Sequence, residues 1–164
     1  MALDYLAHLR ADSARFAVVL RDAPADGQVP SCPAWRADDL LWHLAEVQWF
    51  WGTVVREAVP EPDRLQHPDR PGDRAGLLAF FHDATAQLQE ALAGVHPAEP
   101  RWTWHDTDRT AGFIRRRQAH EALVHRVDAE LTADVARAPL DPALATDGVD
   151  EALRVMFGGA PSWG

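Results

Sequence analysis

The sequence has 164 residues, 47% of them hydrophobic and 25% charged, which is enough apolar material for one ordinary domain with a buried core. Its formal net charge of −9 excludes the net basic footprint that a duplex-binding protein needs. The single cysteine, Cys32, excludes an intrachain disulfide and a cysteine-only zinc cage, and we expect a half-buried, unreactive thiol. The chain contains neither an apolar signal core nor a run of membrane-spanning length, so we expect a cytoplasmic protein.

Strand-like alternation is nearly absent, and each long segment of apolar periodicity predicts a helix. In chain order the long helices are expected over 3–20, 36–58, 73–93 and from a cap at Asp106, Asp108 or Thr110 to 131. A Pro-broken connection leads to a short helix over 149–157. Four long amphipathic helices joined in this way predict an all-α, four-helix bundle with a short extra C-terminal helix.

Glu121 and His125 are four residues apart on the fourth predicted helix, one turn apart on the same face. This spacing lets two side chains converge on one cation, as the i,i+4 pairs of zinc motifs do. The pair borders a predicted apolar stripe, so we expect it to point into the bundle or along its rim. That stripe comprises Phe113, His120, Val124, Val127 and Leu131. Taken alone, such a pair is more often a helical ion pair than a metal site.

Two neighbours on the same helix bear on this pair. Asp128, three residues after His125, could accept the second ring N–H of His125, fixing its tautomer and raising its basicity. Arg117, one turn before Glu121, could pair with Glu121 and compete with a metal for it. The Arg115–Arg117 run is otherwise expected to form a solvated helix face. His120 points about 100° away from Glu121, and we expect it to be packed.

His43 lies within the apolar stripe of the second predicted helix, between Leu40 and Val47. Burying an imidazole there costs free energy unless its nitrogens have partners, which a hydrogen bond or a metal would supply. Together with Glu121 and His125 it makes a three-ligand set, and three protein ligands with an open fourth position are typical of catalytic zinc. The spacing between His43 and Glu121 does not decide between these interpretations. Surface or loop positions are expected for the remaining histidines, His8, His67, His82, His96 and His105.

Three segments carry a resemblance to a known family. The segment CPAWRADDLLWHL, 32–44, is similar to the first signature of the mycothiol-dependent maleylpyruvate isomerase family within the DinB-like superfamily. The segment HEALVHRVD, 120–128, resembles the second signature, and 140–151 is also similar to family members. The resemblance covers essentially the whole chain. It implies a DinB-like up-down bundle in which His43, Glu121 and His125 ligate a divalent metal, with Zn²⁺ as the expected ion.

The resemblance also implies a cofactor, mycothiol, whose sulfur takes the open metal position. The expected function is that of an isomerase or thiol transferase, in which the metal activates the thiol for addition or transfer to a small electrophile. Isomerases of this kind carry a second, C-terminal domain, and this chain ends where that domain would begin. We therefore expect a metal-binding domain over 1–157 and a linker-like tail over 158–164.

Two other functions stay open at this point. Two His and one carboxylate also describe the facial triad of Fe(II) oxygenases. Alternatively, the bundle is a non-catalytic metal-binding domain that acts as a structural or interaction module. Under the enzyme hypothesis the partners are a small thiol and a small electrophile, with no nucleic acid and no membrane. Core positions or a homodimer face are expected for Trp42, Trp49 and Trp51.

Overall fold

The computed structural model describes residues 3–157, and the regular elements of this part of the chain are all helical. The five α-helices are α1 Tyr5–Asp22, α2 Ala37–Glu57, α3 Arg74–Ala93, α4 Ala111–Thr132 and α5 Pro142–Glu151. A 3₁₀ turn at Pro62–Arg64 follows α2, and a π-helical turn at Ala152–Met156 continues α5. The predicted all-α bundle with a short C-terminal helix is confirmed, while the predicted tail lies outside the described residues.

Side chains at the first turns explain where three of the long helices begin. The carboxylates of Asp4 and Asp73 accept backbone N–H groups of α1 and α3, and the Thr110 hydroxyl accepts the N–H of Phe113 at the start of α4. Each cap satisfies a donor that has no partner within its own helix. Thr110 is thus the cap among the three candidates that the sequence offered.

The four long helices pack in the order α1, α4, α2, α3 around the bundle, so that α1 and α2 lie on one diagonal. One core cluster centres on Phe16, Leu40, Leu44 and Phe81, and a second contains Leu9, Trp51, Val54, Leu88 and Ile114. Burial of such side chains contributes roughly 1.5–3 kcal/mol each. The arrangement places α2 directly beside α4, which are the two helices that carry the predicted metal ligands.

The fifth helix begins earlier than expected. The sequence predicts a helix over 149–157, but α5 starts at Pro142 and becomes π-helical after Glu151. Proline suits the first position of a helix because its missing N–H would have no partner there. The Asp141 carboxylate caps the same turn by accepting the N–H groups of Ala143 and Leu144, both at 2.9 Å. The proline is therefore a start signal here and not a break.

The buried face of α4 differs from the predicted stripe. Val124 and Leu131 are 53% and 40% exposed, so the predicted stripe is wrong at these two positions, whereas its members Phe113 and His120 are buried. The face that packs inward combines small residues with polar ones, namely Ala119, Ala122, Ala129, Gln118, Arg126 and Glu130. Because so few large apolar side chains lie on this face, hydrophobicity does not mark it. Glu121 and His125 nevertheless point toward α2.

The Arg115–Arg117 run is not a solvated face. Arg115 donates to backbone carbonyls at the end of α3, and Arg116 donates to the carboxylates of Asp147 and Asp150 on α5. Arg117 pairs with Glu121 and with α5. Each guanidinium therefore connects α4 to another segment of the chain, either the end of α3 or α5, which the sequence pattern did not predict.

His120 is packed, as predicted, and helps to anchor α5. Its Nε2 lies 2.8 Å from the carboxylate of Asp147, which also accepts the hydroxyl of Tyr5 at 3.0 Å. Burial would raise the pKa of Asp147, but its bonds with His120, Arg116 and Tyr5 outweigh burial and lower it. Gly148 lies against the imidazole, where a Cβ would come within 3.1 Å of Nδ1. Residue 148 therefore has little room for a larger side chain.

Candidate metal centre

Three donor side chains converge where α2 lies beside α4. Glu121 Oε1 lies 3.1 Å from His125 Nε2 and 3.6 Å from His43 Nε2. One ligand atom from each residue lies within 4.8 Å of the other two, and no other such group occurs among the described residues. The two imidazole rings are 4.9 Å apart and nearly perpendicular. The structure thus brings together the three residues that the sequence singled out.

These spacings suit a single divalent cation. Ligand atoms about 2.1 Å from a tetrahedral zinc ion lie about 3.4 Å from one another. The two distances from Glu121 Oε1, 3.1 and 3.6 Å, lie on either side of that value. Two imidazole nitrogens and a carboxylate oxygen suit zinc and other first-row divalent ions. The residues present therefore fit the metal that the resemblance implies.

Asp128 contacts the ring nitrogen of His125 that does not face Glu121. Its Oδ2 lies 2.9 Å from Nδ1 of His125, and its Oδ1 accepts the hydroxyl of Ser31 at 2.6 Å. With Nδ1 engaged, the lone pair available to a cation is on Nε2, which faces Glu121. Sequence reasoning assigned no role to Ser31. It precedes Asp128 by 97 residues, and no local pattern connects the two.

Arg117 binds only one of the two carboxylate oxygens of Glu121. Its Nη2 donates to Oε2 at 2.6 Å, while Oε1 faces the two imidazoles. Arg117 thus pairs with Glu121, and a metal at Oε1 would use the other oxygen atom of the carboxylate. The contact also fixes the carboxylate rotamer, so that Oε1 stays aimed at His43 and His125.

The charges of the cluster support one another. Burial would raise the pKa of Glu121, but the bonds to His125, His43 and Arg117 outweigh it and hold that pKa well below its ordinary value. Burial would lower the pKa of His125, but the bonds to Asp128 and Glu121 raise it to about 9. Burial likewise opposes the lowering of the pKa of Asp128 by His125 and Ser31. In the metal-free protein at neutral pH, His125 is thus an imidazolium between two carboxylates.

Zinc binding should release protons at neutral pH. His125 has a pKa of about 9 in the metal-free protein, and a metal binds only the neutral imidazole, so about one proton should leave this residue at pH 7. Affinity should therefore increase from pH 7 to 9. Titration calorimetry in buffers of different ionisation enthalpy measures the proton count.

The raised pKa of His125 has two further consequences, one for proton release in a variant and one for the stability of the metal-free fold. The Asp128→Asn variant should release fewer protons at pH 7, because the pKa of His125 falls when the neighbouring carboxylate is lost. The folded-state pKa lies above the ordinary 6.5, so the ion pairs of His125 stabilise the metal-free fold fully below pH 6.5. That stabilisation is lost as the pH rises through about 9. Zinc binding without proton release would contradict the assignment of His125.

An indole lies beside the centre. The ring of Trp35 is 4.7 Å from that of His43 and 6.4 Å from that of His125. The side chain of His43 is 32% exposed, so the cluster can be reached from solvent. Trp35 belongs to the first signature segment, yet the sequence alone suggested no task for it.

Residues 6–130 match the family described as mycothiol maleylpyruvate isomerase N-terminal domain. The chain belongs to this family. The segment that matches this N-terminal domain contains all three donors, Ser31 and Asp128, and it stops before α5. Searches among curated proteins and among solved structures each gave no significant match. The family resemblance drawn from the two signature segments is confirmed.

The other expectations about this N-terminal domain concern residues away from the centre. The remaining five histidines are exposed or half-buried, as predicted, and none joins the donor group. Cys32 is half-buried against the first core cluster. Trp51 is buried in the second cluster, and Trp42 packs on Phe80. Within residues 3–157 no helix combines the length and hydropathy needed to cross a bilayer.

Proposed function

We propose that this chain is the metal-binding part of a mycothiol-dependent enzyme, in which His43, Glu121 and His125 hold one zinc ion. The observation that carries the proposal is the convergence of two imidazole nitrogens and one carboxylate oxygen at a solvent-accessible rim. Three protein ligands leave a fourth position open, which is the arrangement of catalytic zinc sites. Zinc bound there would lower the pKa of a coordinated thiol and so supply thiolate at neutral pH.

The neighbouring residues would prepare the site before the ion arrives. Asp128 contacts Nδ1 of His125 so that Nε2 faces Oε1 of Glu121, and Arg117 holds Oε2 of Glu121 so that Oε1 faces the two imidazoles. Ligands whose rotamers are fixed in advance lose less conformational freedom on binding. Trp35 lies beside His43, with ring centroids 4.7 Å apart, and its ring would offer a polarisable face to a sulfur atom bound at the metal.

Two reaction classes follow from the family and this geometry. One is isomerisation of a cis double bond by reversible thiol addition, in which no atom is gained or lost. The other is transfer of the thiol to a small electrophile, in which the new carbon–sulfur bond is kept. Both need a thiolate near neutral pH, and both would use the same three ligands.

The thiol step can be measured with cobalt in place of zinc. Adding mycothiol to the cobalt-substituted protein should produce a near-ultraviolet thiolate-to-cobalt absorption band, since the sulfur enters the open position. S-methyl mycothiol, which cannot form a thiolate, should produce none. The zinc protein should also accelerate alkylation of mycothiol by a small electrophile at pH 7.

Two results would redirect the assignment. Stoichiometric metal with no band and no acceleration would favour a non-catalytic metal-binding module. Iron instead of zinc, found by elemental analysis of protein purified without added metal, would favour the facial-triad chemistry.

A further inference from the structure

We infer that Glu151, on the C-terminal helix α5, is a positioning residue for the metal centre and acts through Arg117 on the ligand Glu121. This inference rests on the proposed function. Helix α5 lies beyond residues 6–130, the segment that matches the family. The inference therefore adds to the site a helix that the family match does not include.

One guanidinium connects the two carboxylates. Nη1 of Arg117 donates to Oε2 of Glu151, and Nη2 of Arg117 donates to Oε2 of Glu121 at 2.6 Å. The side chains of Arg117 and Glu151 are 14% and 3% exposed, so water screens these contacts weakly. The rigid fork of arginine can hold two carboxylates at once, which fixes its own position as well as theirs.

The charge balance gives Glu151 an electrostatic effect on the centre. Arg117 alone would neutralise Glu121 and repel an incoming divalent cation across a short distance. Glu151 compensates that guanidinium, so the three side chains together keep one negative charge beside the two imidazoles. Because the trio is largely buried, the interaction is stronger than between exposed groups.

Docking of α5 does not by itself account for this carboxylate. Asp147 and Asp150 already bond to Arg116, and Leu144 is buried against α4. Burying a carboxylate is unfavourable unless its partners compensate for the lost hydration. The second oxygen of Glu151, Oε1, has no hydrogen-bond partner within the described part of the chain. Burial of the Glu151 carboxylate is thus unfavourable by itself, and its one hydrogen-bonded oxygen accepts from Arg117.

The test compares zinc dissociation constants, measured by competition with a chromophoric chelator. Glu151→Gln should bind zinc about tenfold more weakly than the unaltered chain, at the low end of the effects of outer partners of metal ligands. The matched control is Asp150→Asn, which removes the same charge from α5. Asp150 pairs with Arg116 and Arg154 and not with Arg117. That control should stay within about twofold, as expected for a partly exposed pair.

A double variant tests whether Glu151 acts through Arg117 or only by stabilising the packing of α5. In Arg117→Met, adding Glu151→Gln should not change the zinc affinity further, because the connecting group is already gone. Arg117→Lys should also weaken binding, since an ammonium cannot span both carboxylates in the same way. Thermal unfolding of each metal-free variant shows whether the fold is kept.

Three results would overturn the inference: an unchanged affinity in Glu151→Gln, an equal loss in Asp150→Asn, or an undiminished effect of Glu151→Gln without Arg117. An unaltered chain that binds no zinc would refute the proposed function, and the inference would fall with it. Normal zinc binding with no effect of Glu151→Gln would refute the inference alone.

Discussion

Replacing His43 with alanine should remove stoichiometric zinc binding and leave the helical bundle intact. In the proposed site His43 supplies one of three ligand atoms, and its loss should weaken affinity by more than about 100-fold, beyond the range seen for outer partners. It is the cleanest of the three to change. His125 also contacts Asp128, and Glu121 also accepts from Arg117, so the removal of either would take one partner from another largely buried charge.

The measurement is metal content per chain after dialysis, together with unfolding curves with and without zinc. In the unaltered protein, free zinc at 100 times the dissociation constant should add about 2.7 kcal/mol to the free energy of unfolding. His43→Ala should show no such gain. The matched control is His67→Ala, since His67 is an exposed loop histidine that pairs with Glu46 of α2. Full zinc retention in His43→Ala would refute the ligand assignment.

Replacing Glu130 with methionine should destabilise the metal-free bundle by about 3 kcal/mol, the lower end of the cost of breaking a buried ion pair. Glu130 is fully buried on α4, and its carboxylate accepts Arg126 Nη1 at 2.8 Å and Arg15 Nε at 2.9 Å. Arg126 is only 2% exposed, and its Nε lies 2.8 Å from Asp12 Oδ1 without the alignment of a hydrogen bond. Without Glu130, this guanidinium would keep Asp12 as its one carboxylate partner.

Urea unfolding in the presence of a chelator measures this effect without any contribution from zinc. The double variant Arg126→Met with Glu130→Met should recover only part of the loss, because the buried guanidinium is then gone but Asp12, whose side chain is 14% exposed, loses its Arg126 partner. Arg21→Ala, which breaks the exposed pair with Asp22, should change the unfolding midpoint little. A Glu130→Met protein as stable as the unaltered one would show that the buried pair contributes nothing.

Local geometry explains how much of the site the sequence could predict. Helix periodicity places the first three long helices within two residues of their observed bounds, and the end of α4 within one residue, although its start was left open among three caps. The i,i+4 spacing of Glu121 and His125 puts their side chains on one face, and the i,i+3 spacing of Asp128 lets it reach His125. These relations lie within one helix, and covalent geometry enforces them. The same holds for the Thr110 cap, which bonds three residues ahead.

Two misjudged features of α4 show where local pattern fails. Val124 was expected to mark the buried face, yet it is exposed, and the central part of that face consists mostly of alanines and paired polar residues. The three consecutive arginines were expected in solvent, yet each finds a partner in another segment. Hydrophobicity cannot identify a face whose burial depends on partners far away in the chain.

The sequence by itself determined the helices, the family and the carboxylate–imidazole pair, since each is set by local spacing or a short motif. Only the tertiary structure decided that His43 meets that pair, because the packing of distant apolar side chains places α2 beside α4. It also decided the contacts of Ser31, Trp35 and Glu151, which approach α4 or His43 from other segments. The residues next to Ser31, Trp35 or Glu151 in the sequence do not indicate these contacts. The contacts depend on how all the helices pack together.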